Sequence, residues 1–198
     1  MNLRFLSACC VLAMSSLVLS AQTPPADTGP AAGSIVTPAA TIDSELGIIE
    51  SEMMGAVKAM PADKFGFAPS QAIFVPSQTT EFATVRTFAQ QATHVAQANY
   101  FFANFVSGVK PDADVRAIAK LTSKDDVVAA LAASFAFVHK SIATLTVANA
   151  FEVVKTPEPG LQTRSTIAMF CVAHANAHYG QMVEYLRMNG IVPPSSAR

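Results

Sequence analysis

The chain has 198 residues, with 13 Lys and Arg against 14 Asp and Glu and a formal charge of −1 at pH 7. Charged residues make up only 14% of it and no basic run occurs, which excludes the electrostatic footprint of a nucleic-acid binder. Met1 to Arg4 form a short basic leader, "FLSACCVLAMSSLVLS" is an uncharged apolar run, and "AQTPPADTGP" then turns polar and Pro-rich. That order reads as a secretory signal peptide over residues 1–21, cleaved after Ala21, and places the mature chain outside the cytoplasm, in the periplasm or secreted. The apolar run falls short of the ~20 residues needed to cross a bilayer, so no membrane attachment is expected after cleavage. Cleavage removes Arg4, Cys9 and Cys10, leaving 12 basic and 14 acidic residues and Cys171 as the one cysteine. With no intramolecular disulfide to form, stability must come from an apolar core.

Residues 22–40, rich in Pro, Gly and Ala, read as a flexible lead-in to one domain over 41–195. Ile42, Leu46, Ile49, Met53, Val57 and Met60 then recur at steps of three and four, the single apolar stripe of a first helix that Pro61 stops. "ADKFGFAPSQAIFVPSQTT" carries Gly66, Pro69 and Pro76 and reads as a long loop. Thr80 is a candidate cap for a second helix from Glu81 to about Ser107, closed by Gly108 and Pro111. Its second half, "VAQANYFFANFV", is apolar nearly all round, as for a helix with several neighbours. Ser123 with Asp126 three residues on is a capping-box pattern opening a third helix, whose stripe is Val127, Leu131, Phe135, Val138, Ile142 and Leu145. "KTPEPGLQ" is a loop, and a fourth helix runs from about Arg164 to Asn189, stopped by Gly190 and Pro193-Pro194. No stretch alternates convincingly as a strand. The expectation is an all-α protein, a four-helix bundle.

His174 and His178 stand four apart in the fourth helix and therefore on one face. On a helical wheel Ile167, Cys171, His174, His178, Gln181 and Tyr185 share an arc of about 80°, so both imidazoles point inward. Each unsatisfied ring nitrogen in a core costs on the order of 1–3 kcal/mol. Two readings of the pair are open: core histidines bonded to backbone, water or each other, or two ligands gripping one metal ion. A third ligand would come from another helix. His94 lies inward on the line Gln91, His94, Ala98, Phe101, Phe105; His139 lies about 85° from the centre of its stripe, at the boundary or surface. Spacing removes several other metal sites. Residue 175 is Ala, where a zincin needs Glu. Gln91, Ala136, Cys171 and Ala175 stand three before the histidines, where a ferritin-like di-iron site needs Glu. No cysteine pair precedes a histidine as c-type haem requires. A mononuclear three-histidine site survives.

Taken with an inward histidine on the second helix, "HANAHYGQMVEYLRMNGIVPP" resembles the DinB-like, damage-inducible family of metalloenzymes. The resemblance covers residues 41–195. It is carried by His174, His178, Gly180-Gln181, Tyr185-Leu186-Arg187, Gly190 and Pro193-Pro194; elsewhere only the order of helices matches. It implies a bundle running up-down-down-up, with a long connection between the second and third helices, and a divalent metal, Zn or Ni, on His94, His174 and His178. It also implies a metal-dependent hydrolase or thiol transferase acting on a small molecule, and a homodimer. Tyr179 stands where many relatives carry Arg, and Cys171 one turn before His174 departs from the pattern. Three neutral imidazoles leave an ion's charge uncompensated with a position open, and water there drops to a pKa of about 7. No Asp or Glu joins the histidine stripe, so no general base can be named, and the alternative is a non-catalytic metal-binding, stress or partner-binding bundle. Gln181 is a candidate to orient a ligand; Cys171 reads as a small buried hydrophobe rather than a fourth ligand.

Overall fold

The structure is a computed structural model that describes residues 29–70, 75–78, 84–157, 159–160 and 162–197. The expected signal peptide and the expected cap Thr80 lie outside these residues. Residues 1–34 form a unit of their own, whose described part holds one turn closed by the Ser34 N–H on the Ala31 carbonyl at 3.0 Å. The second unit, 35–198, is helical, with a single isolated β-bridge between Val153 and Thr163 among the described residues.

Helix α1 runs Pro38–Ala59. It starts inside the stretch read as a flexible lead-in, because Thr37 caps it (Oγ1 accepts from the Ala40 N–H at 3.1 Å) and Pro38 sits at its first position. Its stripe is buried as expected: Ile42, Leu46, Ile49, Met53 and Val57. The helix ends at Met60, which is extended ahead of Pro61. Helix α2 runs Phe88–Ser107 and starts seven residues after the expected Glu81. The reason is local. Thr87 and Gln90 form a reciprocal capping box, and the N–H groups of Phe88 and Ala89 donate to the carbonyls of Phe67 and Phe65 at 2.8 and 2.9 Å. The loop ahead of the helix thus supplies acceptors that a preceding helical turn would otherwise have offered. Gly108 at φ +76° closes α2 in the left-handed region.

A four-residue helix that the sequence reading passed over, α3 (Val115–Ile118), is capped by the Asp114 carboxylate. Helix α4 spans Lys124–Ile142, with Ser123 accepting from the Asp126 N–H at 3.2 Å as expected. Leu145, the last member of its predicted stripe, is buried just past the helix end. Lys124 donates to the carbonyls of Lys58 and Met60 at 2.7 and 2.8 Å, tying the start of α4 to the end of α1. Helix α5 is Arg164–Met188, capped by Thr163 and followed by Gly190 at φ +71°.

The main packing runs α1 to α4, α4 to α2, α2 to α5 and α5 back to α1. Leu46, Met53, Phe88, Phe135, Ile167, Met182 and Leu186 fill the space between them and are fully buried. Each such side chain contributes about 1.5–3 kcal/mol of transfer free energy. Burial of α2 is less even than its composition suggests, since Phe101 remains 37% exposed. No helix among the described residues is long and apolar enough to cross a membrane.

Candidate metal centre

Two helices build the site. His94 projects from the middle of α2, and His174 and His178 stand one turn apart on α5, the helix that packs against it. The three rings form a tight triangle, with centroids 5.1 Å apart for His94–His174, 4.8 Å for His94–His178 and 4.6 Å for His174–His178. Each offers one nitrogen, and these three atoms lie within 4.8 Å of one another. Nitrogens sharing one ion at about 2.0–2.1 Å stand roughly 3.3 Å apart, so rotamer-scale adjustment suffices to bring the triangle onto a metal. His178 is buried, while His94 and His174 are half-buried.

The protonation states suit a donor role. Burial lowers the pKa of all three histidines, and the Arg86 guanidinium lowers each further. For His174 and His178 the values fall to about 4, helped by the neighbouring imidazoles. All three rings are neutral at pH 7 and each keeps a lone pair. Among the described residues, His174 Nδ1 is the one side-chain nitrogen or oxygen that is buried without a hydrogen-bond partner. An orphan of that kind is expensive unless something else binds it, and a metal ion is one such partner.

The second ring nitrogen of His178 is held by a relay that the sequence reading did not foresee. Its Nδ1 lies 2.6 Å from Gln91 Oε1, and Gln91 Nε2 donates to Gln181 Oε1 at 2.7 Å. Because Gln91 spends its amide hydrogens on Gln181, its oxygen must accept, and His178 Nδ1 must carry the proton. That leaves Nε2 as the free donor to a metal, the arrangement by which outer partners orient ligating histidines. The signal was present in the sequence: Gln91 sits three residues before His94 on the same line. Gln181 itself lies at the surface, and its one described role is to hold Gln91 in place.

The other singled-out residues lie elsewhere. His139 is at a boundary, as expected, and pairs with two α1 carboxylates: Nδ1 to Asp43 at 2.6 Å and Nε2 to Glu50 at 3.0 Å. Burial pulls its pKa down, but the two carboxylates outweigh this and the net shift is upward. Cys171 is buried, donates to Asn99 Oδ1 at 3.5 Å, and has its thiol pushed up to about 12 by burial. It is a packed thiol and not a thiolate ligand. The Tyr179 hydroxyl bonds Ser195 Oγ at 2.5 Å, tying α5 to the turn at Pro194–Ser196.

A family model described as the DinB superfamily matches residues 46–182. The chain belongs to the DinB superfamily. No curated protein matches it. The match takes in α1 from Leu46, α2, α4 and all three histidines, and ends at Met182, before the Tyr185-Leu186-Arg187 and Pro193-Pro194 part of the closing pattern. A DinB-superfamily chain with a three-histidine group of this geometry is compatible with metal binding.

Proposed function

We propose that this DinB-superfamily protein is a divalent-metal-dependent hydrolase or thiol transferase on an up-down-down-up four-helix bundle, with His94, His174 and His178 as the ligands of a Zn or Ni ion. The observation that carries the reading is the set of three neutral imidazoles from two helices, converging within 4.8 Å, one with a buried nitrogen that has no partner. A bound divalent ion supplies a Lewis-acid position that acidifies water or a thiol. The chain's own residues fix the donors: Gln91 sets the tautomer of His178, and Gln181 sets the orientation of Gln91. Burial keeps the histidines deprotonated, and the positive charge of Arg86 adds to the effect. Export, with the mature chain beginning near Gln22, and assembly as a homodimer belong to the same proposal. N-terminal mass spectrometry of native protein and sedimentation at micromolar concentration test them.

The test of the site itself combines metal analysis with melting curves. Ligand binding to the folded state adds RT ln(1 + [L]/Kd), about 2.7 kcal/mol at one hundred times Kd. Added Zn²⁺ should therefore raise the melting temperature of the wild type and of His139→Ala, whereas His94→Ala and His174→Ala should lose most of the shift. A shift lost in His139→Ala and kept in His94→Ala would overturn the ligand assignment. Turnover of ester, amide or thiol-conjugation substrates by the loaded protein supports the enzyme reading. Stoichiometric metal without turnover supports a non-catalytic metal-binding bundle instead.

A further inference from the structure

Two cavities meet at the histidine cluster, and they differ in character. One, of about 540 Å³, is walled by Phe101, Phe102 and Phe170 and reaches His94 and His174. Its aromatic rings form a continuous row. Phe101 stacks edge-on to Phe102 at 5.3 Å, Phe102 to Phe170 at 5.2 Å, and Phe102 to His174 at 5.6 Å. Phe101 and Phe170 remain 37% and 43% exposed, an unusual outlay of large apolar surface next to polar rings. The other cavity, of about 600 Å³, is polar and bounded by Arg86, Thr84 and Thr93. His94 and Gln97 line both, so the two spaces adjoin along one turn of α2.

The charges around this junction are one-sided. Among the described residues, Arg86 makes no ion pair with a carboxylate, and no Asp or Glu lines either cavity. The Tyr185 hydroxyl donates to the Arg86 carbonyl at 3.0 Å, which fixes the backbone that presents the guanidinium. Among the described lining residues, Arg86 thus brings the one formal side-chain charge to the polar cavity beside His94.

We propose that the site takes an anionic amphiphile, a carboxylate with an apolar tail, whose tail lies on Phe101, Phe102 and Phe170 and whose head sits at the histidines beside Arg86. The head's contact with a metal rests on the proposed three-histidine centre; the tail and the Arg86 contact do not. Apolar pockets with a few convergent polar groups bind ligands in this manner: area gives affinity and the polar end gives orientation. Arg is suited to the head because its planar fork matches a carboxylate in two hydrogen bonds.

Calorimetric titration of the full chain, with and without Zn²⁺, tests this with octanoate, octanamide and acetate as probes. Octanoate should bind at least tenfold tighter than octanamide, which lacks the charge, and than acetate, which lacks the tail. Arg86→Gln should bring octanoate down to the level of octanamide, and Phe170→Ala should weaken octanoate and leave acetate unchanged. Both side chains are partly or wholly at the surface, so both variants should fold. Octanoate binding that matches octanamide, that survives both substitutions, or that is absent altogether overturns the proposal. Octanoate binding that depends on Arg86 in a protein taking up no Zn²⁺ would sink the metal reading and leave this one standing. Zn²⁺ uptake without octanoate binding would do the reverse.

Discussion

Replacing Gln91 with Leu removes the one acceptor of a buried imidazole N–H and isolates what the relay does. Gln91 is 3% exposed and His178 8%, so water does not readily take the vacated role. Two responses are open to His178. It can keep its proton on Nδ1, leaving a buried donor unsatisfied, at about 1–3 kcal/mol. For a domain of this size that lowers the melting temperature by roughly 2–4 °C per kcal/mol. It can instead move the proton to Nε2, which relieves the orphan but takes away the lone pair aimed at the other two histidines. Either way metal affinity falls, by about 10–100-fold as for other outer-shell partners of ligating histidines. Gln181, at the surface, regains water and adds little to the loss. Zn²⁺ titration against a competing chelator reads the affinity, and a metal-free melting curve reads the stability. Gln91→Glu, which keeps an acceptor for Nδ1, should restore most of the affinity. A Gln91→Leu protein with wild-type Zn²⁺ affinity would refute the argument, whatever its stability.

Other outcomes follow from the same geometry. The histidines of the cluster have folded pKa values below their unfolded value of about 6.5, so the metal-free protein should lose stability as pH falls from 6.5 through about 4 for His174 and His178. Chemical denaturation across that window checks it, and His174→Ala should flatten the slope. His139 has the opposite sign. Its raised pKa gives a contribution present below pH 6.5 and lost as pH rises through the folded value, and His139→Ala should erase that alkaline loss. Ser123→Ala removes the cap of α4 and should cost about 1 kcal/mol by urea titration with no change in Zn²⁺ affinity. Phe135→Ala empties a fully buried position where α4 meets the core and should cost about 3–5 kcal/mol.

What could be read from sequence here was whatever repeats with the helix. The stripes of α1 and α4 name most of their buried residues, since burial follows a 3.6-residue period wherever one face meets the core. On α5 the expected arc holds Ile167, Cys171, His178 and Tyr185 but misses Ala168, Ala175, Met182 and Leu186 and includes the exposed Gln181. The inward direction of His94, His174 and His178 came from the same wheel, and the family pattern around His178 is local in sequence. What escaped depends on contacts between distant segments. The start of α2 is set by carbonyls of Phe65 and Phe67, some twenty positions upstream, and no local signal encodes that pairing. Arg86 reaches the cluster from a non-helical stretch, where no period predicts direction. The His139 pair with Asp43 and Glu50 joins side chains 96 and 89 positions apart. Gln91 was visible on the right line, but its job requires knowing that Gln181 faces it.

The hydrogen bond between the Phe67 carbonyl and the Phe88 N–H makes segment 68–87 begin and end at one place. Such a segment is thermodynamically a closed cycle hung on the helices, and doubling its length costs only about 0.6 kcal/mol. Thr84, Val85 and Arg86, at its far end, form one rim of the cavity beside His94. The three imidazoles stand on helices, whereas Thr84, Val85 and Arg86 of the cavity wall lie outside them, between the two ends that this hydrogen bond joins. Changes of length there cost the helices little as long as Thr87, which caps α2, and the Arg86 carbonyl, which accepts from Tyr185, are kept. The rim beside His94 can therefore vary in length and charge while the three imidazoles stay where they are.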